Sequence, residues 1–312
     1  MDVTSVNPIL KFNSNQVEEV RKLFNYHDVN KLYQDLDILE DWIRKQNHFT
    51  VREFDRGYLE RYLLANKGSV ERTKKRLDRL CTLRNLLPEL TQNFNIKHEF
   101  DALFRCTRQC VLPKPTKDHY RVLISEVHNA EDYENAELLH FYRYAIVFIE
   151  YMLCHDHNAG IEFIMDNRRM SLGVLAKMNP LVVHKAFTLM EAYGLRLKTL
   201  HIISSSKFLD TLVSIMKQGM STKLGSRIQI HTNVESLHRF IAADILPEDY
   251  GGHEKSIAEL TVDLFKEMSS DKQVAWMKYV EGVSTDEACR LSGDFNEEYM
   301  GMPGSFKTLC VD

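Results

Sequence analysis

Four cations stand immediately before two short apolar runs. Arg196 and Lys198 precede the run 200–203, and Lys223 and Arg227 precede the run 228–230. If those runs are neighbouring parallel strands, their starts lie on one sheet edge and the four charges converge. Guanidinium offers a planar fork and ammonium a point charge, a combination suited to a phosphate-bearing partner. Ordinary solvated loop charges are the competing reading. Other chemistry is sparse. No glycine-rich dinucleotide loop follows a strand, no phosphate-loop lysine motif exists and no nucleophile elbow is present. Cys106 and Cys110 have the spacing of one helical turn but lack a second zinc-type pair. His155-Asp156-His157 falls at an expected helix end, where polar loop residues are ordinary. Asp166, Glu248 and Asp249 have no partner that would make an acid–base dyad. The expectation is a non-enzyme with no catalytic residue, metal or cofactor.

The elements that would place these cations read as a parallel α/β unit. Apolar runs at 161–165, 200–203 and 228–230 alternate with amphipathic segments of helical length, the pattern of right-handed βαβ units. An earlier strand is expected at 122–124, after the boundary marked by Pro113 and Pro115. Between them, residues 135–154 are apolar around nearly the whole circumference, as in a helix buried between layers. Residues 207–220 also carry more apolar surface than one sheet-facing stripe requires. That helix is either buried on two sides or covers an apolar cavity. Before Pro113 the periodicity is helical. Leu32, Leu36, Leu39 and Ile43 form one stripe, Thr50 and Glu53 have capping-box spacing, and Gly68 and Ser69 end one helix and cap the next. Val70, Thr73, Leu77, Leu80 and Cys81 make that next stripe, backed by a basic face. Residues 1–15 read as loose, 1–110 as an all-helical lobe, 111–255 as the sheet domain and 256–312 as C-terminal helices and tail. Ser256 and Glu259 are spaced as a second capping box.

Composition narrows the class. A hydrophobic content of 44% with 27% charged residues is that of a folded globular chain, and a net charge of −4 argues against a wholesale basic nucleic-acid binder. The start lacks a basic segment leading into an apolar core, and the run 144–154 is too short to span a bilayer. Six scattered cysteines then suggest reduced thiols in a cytoplasmic protein.

Several motifs resemble the CRAL-TRIO lipid-transfer family. They are Asp55-Arg56-Gly57-Tyr58-Leu59-Glu60-Arg61-Tyr62-Leu63-Leu64-Ala65-Asn66-Lys67 with Val70-Glu71, Gly160-Ile161 leading to Ile164-Met165-Asp166, and Leu246-Pro247-x-x-Tyr250-Gly251-Gly252. Gly301-Met302-Pro303-Gly304-Ser305-Phe306-Lys307 resembles the closing segment of its tocopherol- and retinaldehyde-carrying members. The resemblance implies a helical lobe on a mostly parallel sheet, an internal cavity for one lipophilic molecule and a helical gate, which makes 207–220 the gate. It implies ligand contacts from Tyr142, Ala145, Ile149, Ile161, Met165, Leu172, Leu189, Tyr193, Leu195, Leu200, Phe208, Leu212 and Met216. It implies phosphoinositide contacts from Arg61, Arg196, Lys198, Lys223 and Arg227, hence a monomeric, peripherally membrane-associated carrier with no nucleic-acid partner. Relative to the tocopherol carrier, Arg196 and Lys198 exchange identities, and Ala145 and Ile149 replace ligand-facing serines, which removes polar partners for a chromanol hydroxyl. A regulatory scaffold binding a GTPase or trafficking protein is the alternative from another class.

Overall fold

A computed structural model describes residues 7–135, 137–170, 173, 179–204, 213, 214, 217 and 222–291. Its helical lobe is built by the stripes expected of it. After α1 (Gln16–Leu23) comes α2 (Val29–Arg44), where Asp28 caps the start by accepting from Asn30 N–H. Leu32, Leu36, Leu39 and Ile43 all fall at or below 1% exposure. They pack with α3 (Arg56–Ala65) and α4 (Val70–Leu86) in one cluster, and Ser69 caps α4. The Thr50 capping box does not form. Asp55 caps α3 instead, accepting from Tyr58 N–H at 2.7 Å. Thr50 donates its hydroxyl to carbonyls of Gly282 and Ser284, so a long-range tie wins over the local cap.

Two further expectations are overturned. The described part of the start, residues 7–15, is anchored. Leu10 is buried, Asn7 donates to the Tyr151 hydroxyl at 2.9 Å, and Lys11 N–H reaches Pro113 O at 2.9 Å. The segment before 111 is not all helical either, because β1 (Thr107–Val111) starts within it. Polar Thr107, Arg108 and Gln109 hide this edge strand from an apolar-run reading.

β1 pairs antiparallel with β2 (Tyr120–Val127), while β3 (Gly160–Asp166), β4 (Leu197–Ile203) and β5 (Ile228–His231) follow in parallel, in the order β1-β2-β3-β4-β5. The expected mostly parallel sheet is therefore present, with its strand starts on one edge. The buried helix is α5 (Leu138–His155). One side of it meets the helical lobe through Tyr142, Ile146, Ile149 and Leu153. Another side meets β1 through Val147 and Phe148 packed with Val111. Glu150, which interrupts its apolar sequence, is wholly buried against Arg84 and accepts from Trp276 Nε1 at 3.1 Å. α6 (Pro180–Ala192) joins the lobe cluster, and α7 (Ile257–Met268), opened by the predicted Ser256–Glu259 capping box, packs along β1. Among the described residues no helix is long and apolar enough to cross a membrane.

Candidate functional site

Alternation along the strands gives the sheet two faces. Phe163 and Met165 of β3, Leu200 and Ile202 of β4 and Ile228 of β5 share one, in register as Phe163↔Leu200↔Ile228 and Met165↔Ile202, while Val122, Ile124, Ile164 and Ile203 at the alternate positions are buried in a separate cluster with Leu237 and Ile241. Leu197 belongs with the first set but stands three residues before Leu200, which a regular strand would place on the opposite face. The ladder resolves this with a bulge, since Ile161 pairs with Leu197 and Glu162 with Thr199, leaving Lys198 as the extra residue. Phe163, Met165, Leu197 and Ile228 are only half-buried, unlike the lobe core.

The strand starts carry the charges. Gly160 opens β3 at φ +144°, where an added Cβ would run into the carbonyl of Arg196, so only glycine lets β3 and the Arg196 backbone meet. Arg196 stacks its guanidinium 4.5 Å from the Phe24 ring, and its buried Nη1 has no hydrogen-bond partner among the described residues. Burial draws the Arg196 pKa below its ordinary value, and Arg227 nearby pushes the same way. Arg227 donates to Leu197 O, which holds the two strand starts together. Arg61 extends from α3 and donates through Nε to Leu153 O, its charge also disfavoured by burial. Arg61 and Arg196 line a cleft of about 30 Å³ with Ile161, Leu195 and His157. That is room for about one water, so the cleft itself admits no lipid tail.

Lys223 is exposed and belongs to the same group. The cation that reveals this is Lys67, which sequence reasoning missed. Lys223 is the largest cause drawing its ammonium below the ordinary value, followed by burial, Arg196, Arg72 and Arg227. Three predicted cations thus lie near enough to Lys67 to act on its charge, together with Arg72, and Arg61 shares the cleft with one of them, Arg196. Lys67 follows directly on α3 in a left-handed conformation at φ 62°, a placement no charge pattern announces. Lys198 is turned away by the bulge. Its ammonium lies 4.2 Å from the Tyr120 ring centroid and 3.3 Å from Glu162.

The predicted apolar contacts are less unified. Tyr142, Ile149, Leu189 and Tyr193 sit in the lobe core, where Arg84 donates to the Tyr193 hydroxyl at 3.1 Å. Met165 and Leu200 belong to the sheet cluster, Ile161 and Leu195 line the basic cleft, and Ala145 is half-buried on α5. Leu172, Phe208, Leu212 and Met216, with most of the expected gate, lie outside the described residues. Of the triplet at the end of α5, Asp156 forms a fully buried two-pronged pair with Arg121 at 2.9 and 3.0 Å, while His157 lies 3.0 Å from Glu60. Among the described residues no group of acidic, His or Cys side chains is placed to hold a metal. Cys106 and Cys110 do not share a helical turn, since Cys110 stands on β1 and burial pushes both thiols upward.

Comparison with known proteins agrees with this architecture. The CRAL/TRIO domain family matches residues 107–252. Ahead of it, residues 28–100 match the Pinta-like UBA domain family. The chain is 24% identical to the mouse alpha-tocopherol transfer protein-like protein over 225 residues, 70% of this chain and 64% of that one. Clavesin-1 of Xenopus laevis is 24% identical over 231 residues, 71% of this chain and 68% of that one. The chain thus spans less than two-thirds of the mouse relative. The crystal structure of Sfh5 superposes with a TM-score of 0.50 at 14% identity, covering 74% of this chain and 91% of that chain.

The motif at the end of the matched stretch has a physical role here. The Tyr250 hydroxyl donates to Asp166 Oδ2 at 3.0 Å, joining the motif to the end of β3. Arg168 forks onto the same carboxylate. Gly252 passes so close to the Leu246 carbonyl that no side chain fits. The motif therefore fastens the chain leaving the sheet across the sheet's far edge.

Proposed function

We propose that this protein binds one small lipophilic molecule against the half-buried apolar face of its CRAL/TRIO sheet and delivers it at membranes bearing phosphoinositide headgroups. The observation that carries the reading is a juxtaposition. One sheet offers half-buried apolar side chains at Phe163, Met165, Leu197 and Ile228, and its strand-start edge gathers Arg196, Lys223 and Arg227 with Lys67. Covering apolar surface is worth roughly 25 cal/mol per Å², enough to hold a water-insoluble cargo in transit. Cations at an anionic bilayer contribute about 1 kcal/mol each, so the edge supplies docking energy without a spanning helix. The Arg196 and Arg227 guanidinium groups pair with no carboxylate among the described residues, which leaves their charge for a phosphate. Relatives named for alpha-tocopherol transfer support the cargo class. Ala145 and Ile149, in place of the serines expected from the resemblance, favour a cargo with little need for hydroxyl partners on α5, such as a carotenoid or another weakly polar lipid.

Organic extraction of the purified protein followed by mass spectrometry tests the cargo. A lipophile near one per chain is expected, and its absence after expression in lipid-rich cells would overturn the reading. Arg227→Ala tests the docking half. Transfer of a fluorescent lipophile to vesicles containing phosphatidylinositol bisphosphate should slow about fivefold while cargo affinity stays unchanged.

A further inference from the structure

Lys198 differs from Arg196 and Arg227 in pairing with a carboxylate among the described residues, and that carboxylate is unusual. Glu162 is 2% exposed, yet Lys198 Nζ stands 3.3 Å from its Oε1 with the lysine side chain still 41% exposed. The other carboxylate oxygen faces inward. Glu162 Oε2 lies 3.3 Å from His201 Nε2, His201 Nδ1 lies 2.9 Å from His231 Nε2, and His231 Nδ1 lies 2.7 Å from Ser236 Oγ. Ser236 ends the chain by donating to Asn233 O at 2.8 Å. His201 and His231 are both buried, and Phe240 closes over their rings at 5.1 and 5.5 Å. Burial pushes the Glu162 pKa up, but the hydrogen bonds from His201 and Thr199 and the Lys198 charge outweigh it, so the carboxylate stays ionised. The result is a fixed anion, braced from behind by strands β4 and β5, held against a cation at the membrane-facing edge. The bulge at Lys198 creates this pairing, because it puts Lys198 beside Glu162 and the Tyr120 ring. Arg196 Cβ and the Tyr120 ring both border Gly160, which places Lys198, over that same ring, close to the start of the convergent group.

We propose that Glu162 is a specificity-determining residue for anionic lipids, an internal competitor that Lys198 exchanges only for a headgroup of higher charge. A phosphomonoester carries about −1.5 to −2 charges and three acceptor oxygens. It outcompetes a single fixed carboxylate, whereas a headgroup whose net charge is −1 gains little by displacing it. The His201–His231–Ser236 chain matters because it keeps Glu162 in place after Lys198 leaves, so the exchange is reversible and strands no mobile buried charge. This inference rests on the membrane-docking reading above and adds to it which lipids the edge discriminates.

The test is co-sedimentation of the full chain with phosphatidylcholine vesicles doped either with phosphatidylserine or with phosphatidylinositol bisphosphate at matched total charge. Wild type should prefer the bisphosphate. E162Q should bind phosphatidylserine vesicles about fivefold better, the weight of one freed surface cation, and change less on bisphosphate, so the preference narrows. In a K198A background E162Q should have no effect, an outcome that a merely structural role for Glu162 would not produce. Unchanged preference in E162Q, or an effect that persists without Lys198, overturns the inference while leaving docking intact. Wild type that binds neither vesicle overturns docking itself and this inference with it. Should E162Q fail to fold, Glu162→Asp withdraws the carboxylate from Lys198 and should narrow the preference in the same direction by a smaller factor.

Discussion

Arg121 and Arg196 carry the same guanidinium, 75 positions apart in sequence, and the protein treats them in opposite ways. Arg121 is fully buried and saturated. Asp156 takes two of its donors, and the carbonyls of Lys11, Leu112 and Pro113 take the rest. Arg84 is likewise buried against Glu150 and Tyr193. Arg196 has one aromatic face against Phe24, an empty Nη1 and like charges around it. Burial is costly for both groups. At Arg121 internal acceptors offset that cost in full, and at Arg84 the Glu150 carboxylate offsets it although Nε lacks a partner among the described residues, whereas Arg196 has no carboxylate beside it among those residues. A carboxylate held against the guanidinium, present at Arg121 and Arg84 and not at Arg196 among the described residues, separates the two kinds.

The sharpest way to break that contrast is to remove the carboxylate from the paired kind. Glu150→Ala leaves Arg84 charged and wholly buried, and should cost about 3–5 kcal/mol, read as a lowered urea midpoint. Replacing both members, Arg84→Met with Glu150→Leu, should recover most of that loss because no buried charge is then left alone. If the single change costs under about 1 kcal/mol, the saturated pairs are not structural and the contrast fails.

The open kind should respond inversely. Lys223→Glu reverses an exposed charge beside Lys67 and should leave stability within about 0.5 kcal/mol of wild type. Binding to bisphosphate vesicles should weaken by roughly thirtyfold, two surface charges' worth, and the difference should shrink as salt rises toward 1 M. Equal binding by the variant at low salt would show that the convergence at the strand starts has no docking role.

How far this contrast was legible in the sequence depends on the range of the interactions. The stripes of α2 and α4, the caps at Ser69 and Ser256, the four later strands and the convergence of Arg196, Lys223 and Arg227 all follow from spacing within a few residues. What escaped is pairing across the chain. Thr50 reaches Gly282, Leu10 docks after Asn7 meets Tyr151, and Glu150 finds Arg84, none of which leaves a local pattern. β1 escaped because an edge strand with Arg108 and Gln109 lacks an apolar run. The Lys198 bulge did leave a trace, the three-residue step from Leu197 to Leu200, which a strict period of two cannot accommodate.

The smallest expected effect separates buried neutral groups from buried paired ones by pH. His155 and His231 are held down to about 4, His155 by burial, Lys272 and Arg61, and His231 by burial and His201. Each is neutral when folded and takes up a proton near 6.5 when unfolded, so the unfolded chain binds more protons between those values. Stability should therefore fall as pH drops from about 6.5 to about 4, and this contribution is complete below that window. Glu60 behaves differently. Burial raises its pKa, but His157 and Arg21 overcome that and hold it at about 2, against an unfolded value of 4.5. Its stabilisation is fully present above 4.5 and is lost as pH falls toward 2. Urea unfolding at half-unit pH steps should thus show two successive declines. His231→Gln should flatten part of the upper one and leave the lower unchanged, while Glu60→Gln should do the reverse. A single decline confined below pH 4.5 would mean the histidines are already charged in the folded chain, and that the charges buried behind the sheet are arranged differently from those described.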